Sequence, residues 1–203
     1  GQYWKFDKRA VDINPRVIAY LQGHQPKRKL REIAVPARVD PGTWQDYAWR
    51  WALCHLLANN PNYADRFKPL AIALMKKQKG ASFEVVYGLT AQQLAFEYEL
   101  FLDQLDNGYR ADLCAWQWNR KFSPLAGKRR TQVKVSALLG WQATGVQLDT
   151  GASYDLAAVG NWKIAKDGGE YDADGDQVGR GRLVAVIFND FNKILKPPVF
   201  PLG

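Results

Sequence analysis

The chain has 203 residues, of which 47% are hydrophobic, 24% charged and 13% aromatic, which suits one or two globular domains and excludes a disordered tail. Its formal charge is +8, most of it before Leu125, and the longest basic clusters are Lys27-Arg28-Lys29-x-Arg31 and Lys128-Arg129-Arg130. Neither cluster is interleaved with the aromatic platform that single strands stack on, so no nucleic-acid partner is expected. No run of about 18 apolar residues is present, so no membrane span is expected either.

In chain order, the first two-thirds read as helical. Pro15 to Leu21 predicts a short helix, and Pro26 to Val39 a basic connector. From Trp44 to Leu57 the large apolar residues fall at Trp44, Tyr47, Trp51, Cys54 and Leu57, the spacing of one helix face, with Thr43 as N-cap. Asn59-Asn60-Pro61 stops that helix. Tyr63 to Lys77 predicts a second helix, kinked or restarted at Pro69 and closed by cations and Gly80. Thr90 with Gln93 has the capping-box form and opens a third, to Leu105. Ala111 to Lys121 predicts a fourth, with Leu113, Trp116 and Trp118 turned at least partly inward.

The texture then changes. Phe122 to Arg130 has the Pro, Gly and charge of an interdomain linker. Thr131 to Ala137 alternates, with Val133, Val135 and Ala137 on one face, and Gly145 to Leu148, Tyr154 to Val159, Trp162 to Ala165 and Arg182 to Phe188 follow as β-prone runs. Short strands separated by Gly turns predict an antiparallel β-sandwich. A further strand is expected where Pro197 to Gly203 lies. The expected fold class is therefore α+β in two domains: a helical unit over 1–121, a linker over 122–130 and a β-sandwich over 131–203. The opening Gly1-Gln2-Tyr3-Trp4 reads as the middle of a domain, so the chain is expected to be a piece of a longer parent.

Few residues offer chemistry. His24 and His55 are the two histidines; His55 lies on an apolar helical turn and reads as a satisfied core residue. There is no HExxH, no zinc-ligand spacing, no GxSxG elbow, and no P-loop or dinucleotide fingerprint. Glu97 and Glu99, two residues apart, do not share a helix face. No catalytic residue and no enzymatic activity are therefore expected. Cys54 and Cys114 are either two thiols or one disulfide. The one ligand-like constellation is Asp172, Asp174 and Asp176, which match the first, third and fifth ligands of a calcium loop. Gln177 and Leu183 stand where an EF-hand needs Gly and Glu, which rules that motif out. What remains is a weak calcium site or a solvated acidic turn.

Two resemblances attach to these residues. Gly1-Gln-Tyr-Trp, Trp44 to Leu57, Asn60-Pro-Asn-Tyr, Ser82-Phe and the stretch from Gly108 to Trp118 resemble the C-terminal helical part of a planctomycete-type bacterial family related to gluzincin, peptidase-MA-like metallopeptidases. In that family the HExxH helix and its following Glu would precede this segment, so the resemblance implies no metal ligand here. Val135-x-Ala137, Gly140 to Val146, Gly151-x-x-Tyr154, Ala158-x-Gly-x-Trp162 and Asp174-Gly-Asp176 resemble the start of a LecA-like, galactose-binding lectin sandwich. That resemblance implies a sugar site beside Asp174 and Asp176. It also implies a later calcium loop, whose beginning Phe188-Asn189-Asp190 imitates while Ile194, Pro197 and Pro198 replace its further ligands. Together they imply a non-catalytic piece of an extracytoplasmic (periplasmic or secreted) protein, a helical scaffold with a module for carbohydrate or another protein. The alternatives are a structural or assembly protein, or the part of a zinc metallopeptidase that lacks its catalytic motif.

Overall fold

Thr43 shows how closely local chemistry sets the helices. Its hydroxyl accepts from the Asp46 N–H while the Asp46 carboxylate accepts from the Thr43 N–H at 2.8 Å, a reciprocal box that starts α3 (Trp44–Asn59). The computed structural model describes residues 13–34, 42–105, 108–127, 129–163, 166–178, 180–187 and 199–201. These fall into two compact units that divide after Trp116, earlier than the expected helical boundary at Lys121.

The first unit is helical. Before α3 come α1 (Pro15–Gly23), with Pro at its first position and Asn14 capping the Arg16 N–H, and α2 (Leu30–Ala34). After it come α4 (Ala64–Met75), α5 (Phe83–Tyr87), capped by Ser82, and α6 (Ala91–Asp103). α3 packs against α1, α2, α4 and α6. α2 lies inside the expected connector because Leu30 and Ile33 bury on the core; residues 35–39 of that connector lie outside the described residues. α4 runs through Pro69 without restarting. Pro69 is exposed, where solvent can satisfy the carbonyl that loses its partner. Thr90 precedes α6 as expected, but its side chain makes no cap bond and its hydroxyl donates back to the Tyr87 carbonyl instead.

Two helical expectations are corrected. The buried face of α3 is Ala48, Trp49, Ala52, Leu53, Leu56 and Leu57, whereas Trp44 and Tyr47 are 53% and 67% exposed. Small Ala48 and Ala52 let neighbouring helices approach, and the large Trp49 fills the space between them. The expected helix over 111–121 is a single 3-10 turn, Ala111–Cys114. Ala115 turns to extended backbone (ψ 132), and the Trp116 N–H, which would have continued a helix, is taken by Glu97.

Among its described residues the second unit carries six short strands in three two-stranded ladders. β1 (Ser123–Pro124) pairs in parallel with β2 (Val146–Gln147). β3 (Trp162–Lys163) pairs antiparallel with β4 (Glu170–Tyr171), and β5 (Val184–Val186) with β6 (Val199–Pro201). β1 thus lies within the stretch read as linker, and β6 where a further strand was expected. No strand forms over 131–137 or 154–159. Over 131–137 the reason is local: Gln142 accepts from the Ser136 N–H at 2.9 Å and donates to the Ser136 carbonyl at 2.8 Å. A side chain has taken backbone groups that a ladder would use. Among the described residues of this unit only Ala173 is buried, so the mixed helix-and-sheet class holds while its sheets stay small.

Candidate functional site

The Asp172–Asp176 turn is stapled from within. The Asp172 carboxylate accepts from the Asp174 N–H at 3.1 Å, and the Gly175 N–H donates to the Asp172 carbonyl. Gly175 has φ +74, and a Cβ there would lie 2.5 Å from the Arg180 carbonyl, so only glycine fits. Asp176 Oδ1 accepts from the N–H groups of Val178 and Arg180, and Oδ2 from Arg180 Nε at 2.7 Å. Partial desolvation pushes the Asp176 carboxyl up, but the Arg180 N–H, its guanidinium and the Val178 N–H outweigh that and hold it below its ordinary value. Both oxygens of Asp176 therefore already accept hydrogen bonds within the turn, one of them from the Arg180 guanidinium. Asp174 stays exposed at the tip. Among the described residues, no three His, Cys, Asp or Glu side chains cluster as a metal would require.

The helical unit spends its buried polar groups on its own architecture. Glu97, fully buried on α6, accepts from Asn60 Nδ2 at 2.6 Å, Asn62 Nδ2 at 2.7 Å and the Trp116 N–H at 3.0 Å. Asn62 also donates to the Trp116 carbonyl. One carboxylate thus gathers the end of α3, the turn before α4, α6 and the segment after the 3-10 turn. His55 is buried, donates from Nε2 to the Tyr109 carbonyl at 2.9 Å and stacks on Phe101. Burial pushes its pKa below the ordinary value, with the Tyr109 bond opposing. Tyr109 presents that carbonyl from a left-handed backbone, φ +57. Cys54 and Cys114 are free thiols, so the bridge left open by the sequence is not formed. Burial, with Glu97 and Asp112 nearby, pushes the Cys114 thiol up to about 12, and its S–H points to the Arg110 carbonyl.

Sequence reading missed an open cleft of about 680 Å³ in the second unit. It lies over β1 and β2 and is bordered by Arg120, Lys121, Arg129, Arg130, Thr131 and Thr144. The signal was partly visible, since Lys128-Arg129-Arg130 stands out as a basic run. The parallel pairing of Ser123 with Val146, with the Ser123 N–H donating to the Gly145 carbonyl, brings Arg120 and Lys121 to the same cleft.

No protein-family model, curated protein or solved structure matches the chain. No helix among the described residues is long and apolar enough to cross a membrane.

Proposed function

We propose that the chain is a non-catalytic part of a larger extracytoplasmic protein, in which the helical unit is a scaffold and the second unit a binding module for carbohydrate or another protein. The observation that carries this reading is the contrast in how polar groups are used. Glu97 and His55 are buried and tied to neighbouring carbonyls, amides and N–H groups, which is architectural work. The second unit instead holds an open cleft bordered by four exposed cations. The extracytoplasmic setting and the completion of the three ladders into a sandwich, with further strands supplied by the parent, follow the lectin resemblance.

A second reading, a structural or assembly protein, is favoured by Trp44 and Tyr47, exposed one turn apart on α3. Such rigid aromatics are what interfaces use. A glycan array probed with the purified full chain separates the two. Saturable binding to one glycan class supports the module. A folded chain that self-associates and binds no glycan contradicts it and favours assembly, with Trp44→Ala and Tyr47→Ala then dissociating the assembly.

A further inference from the structure

The cleft over β1 and β2 is defined by charge. Arg120, Lys121, Arg129 and Arg130 border it, all four are exposed, and none makes an ion pair among the described residues. Elsewhere some exposed cations do find carboxylates, as Arg110 does with Asp112 and Arg180 with Asp176. Four like charges around one concavity repel each other, and an anion entering the cleft relieves that repulsion. The backbone fixes part of the arrangement. Gly145 has φ +73, and a Cβ there would come within 3.0 Å of Arg120 Nε and 3.2 Å of the Lys121 carbonyl. The glycine therefore leaves room for the Arg120 side chain beside β2, which an added Cβ would push aside by a few tenths of an ångström.

We propose that this cleft binds an acidic oligosaccharide, one bearing carboxylate or sulfate groups, with the four cations receiving the acid groups and Ser123, Thr131 and Thr144 receiving sugar hydroxyls. This assignment rests on the reading of the second unit as a binding module and names its ligand class. The chemistry favours a sugar over a nucleic acid. Guanidinium groups donate to carboxylates and other oxyanions in a forked geometry, whereas a single strand needs aromatic faces for its bases. No described lining residue is aromatic.

The test is titration of the full chain with oligogalacturonate, a sulfated dextran oligosaccharide, neutral dextran and a single-stranded oligonucleotide, at low and at raised salt. Melting curves check that each variant is folded. Binding of either acidic sugar, absent for neutral dextran and weakened by salt, is expected. The pair Arg129→Glu with Arg130→Glu should weaken it by about tenfold or more. The same charge change in the helical unit, Lys76→Glu with Lys79→Glu, should leave it unchanged. Gly145→Ala, which keeps every charge, should weaken it by displacing Arg120. Equal loss in the two charge variants would show non-specific attraction and overturn the assignment, as would an oligonucleotide that binds as tightly as the sugars. If a neutral glycan binds and the cleft variants bind it equally, the acidic ligand is wrong while the carbohydrate reading stands. If no glycan binds at all, both fall.

Discussion

Asn60 Nδ2 donates to Glu97 Oε2 at 2.6 Å, joining two fully buried residues 37 positions apart in the chain. Asn60 is the residue that ends α3, and Glu97 sits in the middle of α6, so this bond ties the end of one helix to the flank of another. With Asn62 and the Trp116 N–H as further donors, the carboxylate is the polar centre of the helical unit.

Removing that centre should therefore be costly. Glu97→Ala leaves buried donors without their acceptor and is expected to cost about 3–5 kcal/mol; Glu97→Gln, which keeps the volume but turns an amino group toward donors, about 2 kcal/mol. Denaturant unfolding monitored by tryptophan fluorescence measures both. Losses below about 0.5 kcal/mol would show that the network carries no stability.

The corrected face of α3 makes a second prediction. Trp49 is fully buried, its Nε1 donates to the Tyr20 hydroxyl and its carbonyl accepts from the Tyr98 hydroxyl. Trp49→Ala should cost about 3–5 kcal/mol, whereas Trp44→Ala, which loses mainly an edge contact with Tyr20, should cost about 0.5–1 kcal/mol. The opposite order of melting temperatures would restore the sequence-predicted face.

Two groups give the stability a pH dependence. Burial lowers the His55 pKa from 6.5 in the folded chain, so the unfolded chain takes up the proton first and stability falls as pH drops below about 6.5. His55→Gln should remove that slope between about pH 7 and 5. Asp46 is held at about 2 by the Thr43 N–H, the Arg28 guanidinium and the Thr43 hydroxyl, against 3.8 when free. Its contribution is complete above about pH 4 and is lost as pH falls toward 2; Asp46→Asn should flatten that limb. Thermal melts across the two windows check both.

Calcium should leave the melting temperature unchanged at up to about 10 mM, roughly tenfold above the weakest extracellular sites. Asp176 already spends both oxygens on Arg180 and Val178. A rise abolished by Asp174→Asn would return the turn to the list of cation sites.

What the sequence discloses tracks how local each determinant is. Thr43 is legible as a cap because its partner lies three residues away. Trp49 is not, because in a helix with five large apolar residues at 3–4 spacing a second stripe of alanines and leucines fits the same period. Glu97 is dismissed on spacing alone, since its donors come from Asn60, Asn62 and Trp116, which only the folded chain assembles. In the second unit the alternation at Val133 and Val135 suggests a strand that the pairing of Gln142 with Ser136 forestalls. Arg129 and Arg130 are visible as a cluster. That Arg120 joins them depends on β1 meeting β2, a contact between residues placed on opposite sides of the expected linker boundary.

The central claim is that ligand meets this chain at the basic cleft rather than on the helices. Backbone amide chemical-shift mapping of the full chain, titrated with oligogalacturonate, reads it directly. Saturable shifts confined to Arg120–Leu125, Arg129–Thr131 and Thr144–Val146 are predicted. Shifts centred instead on Trp44 and Tyr47, or on the Asp172–Asp176 turn with the cleft silent, would contradict it.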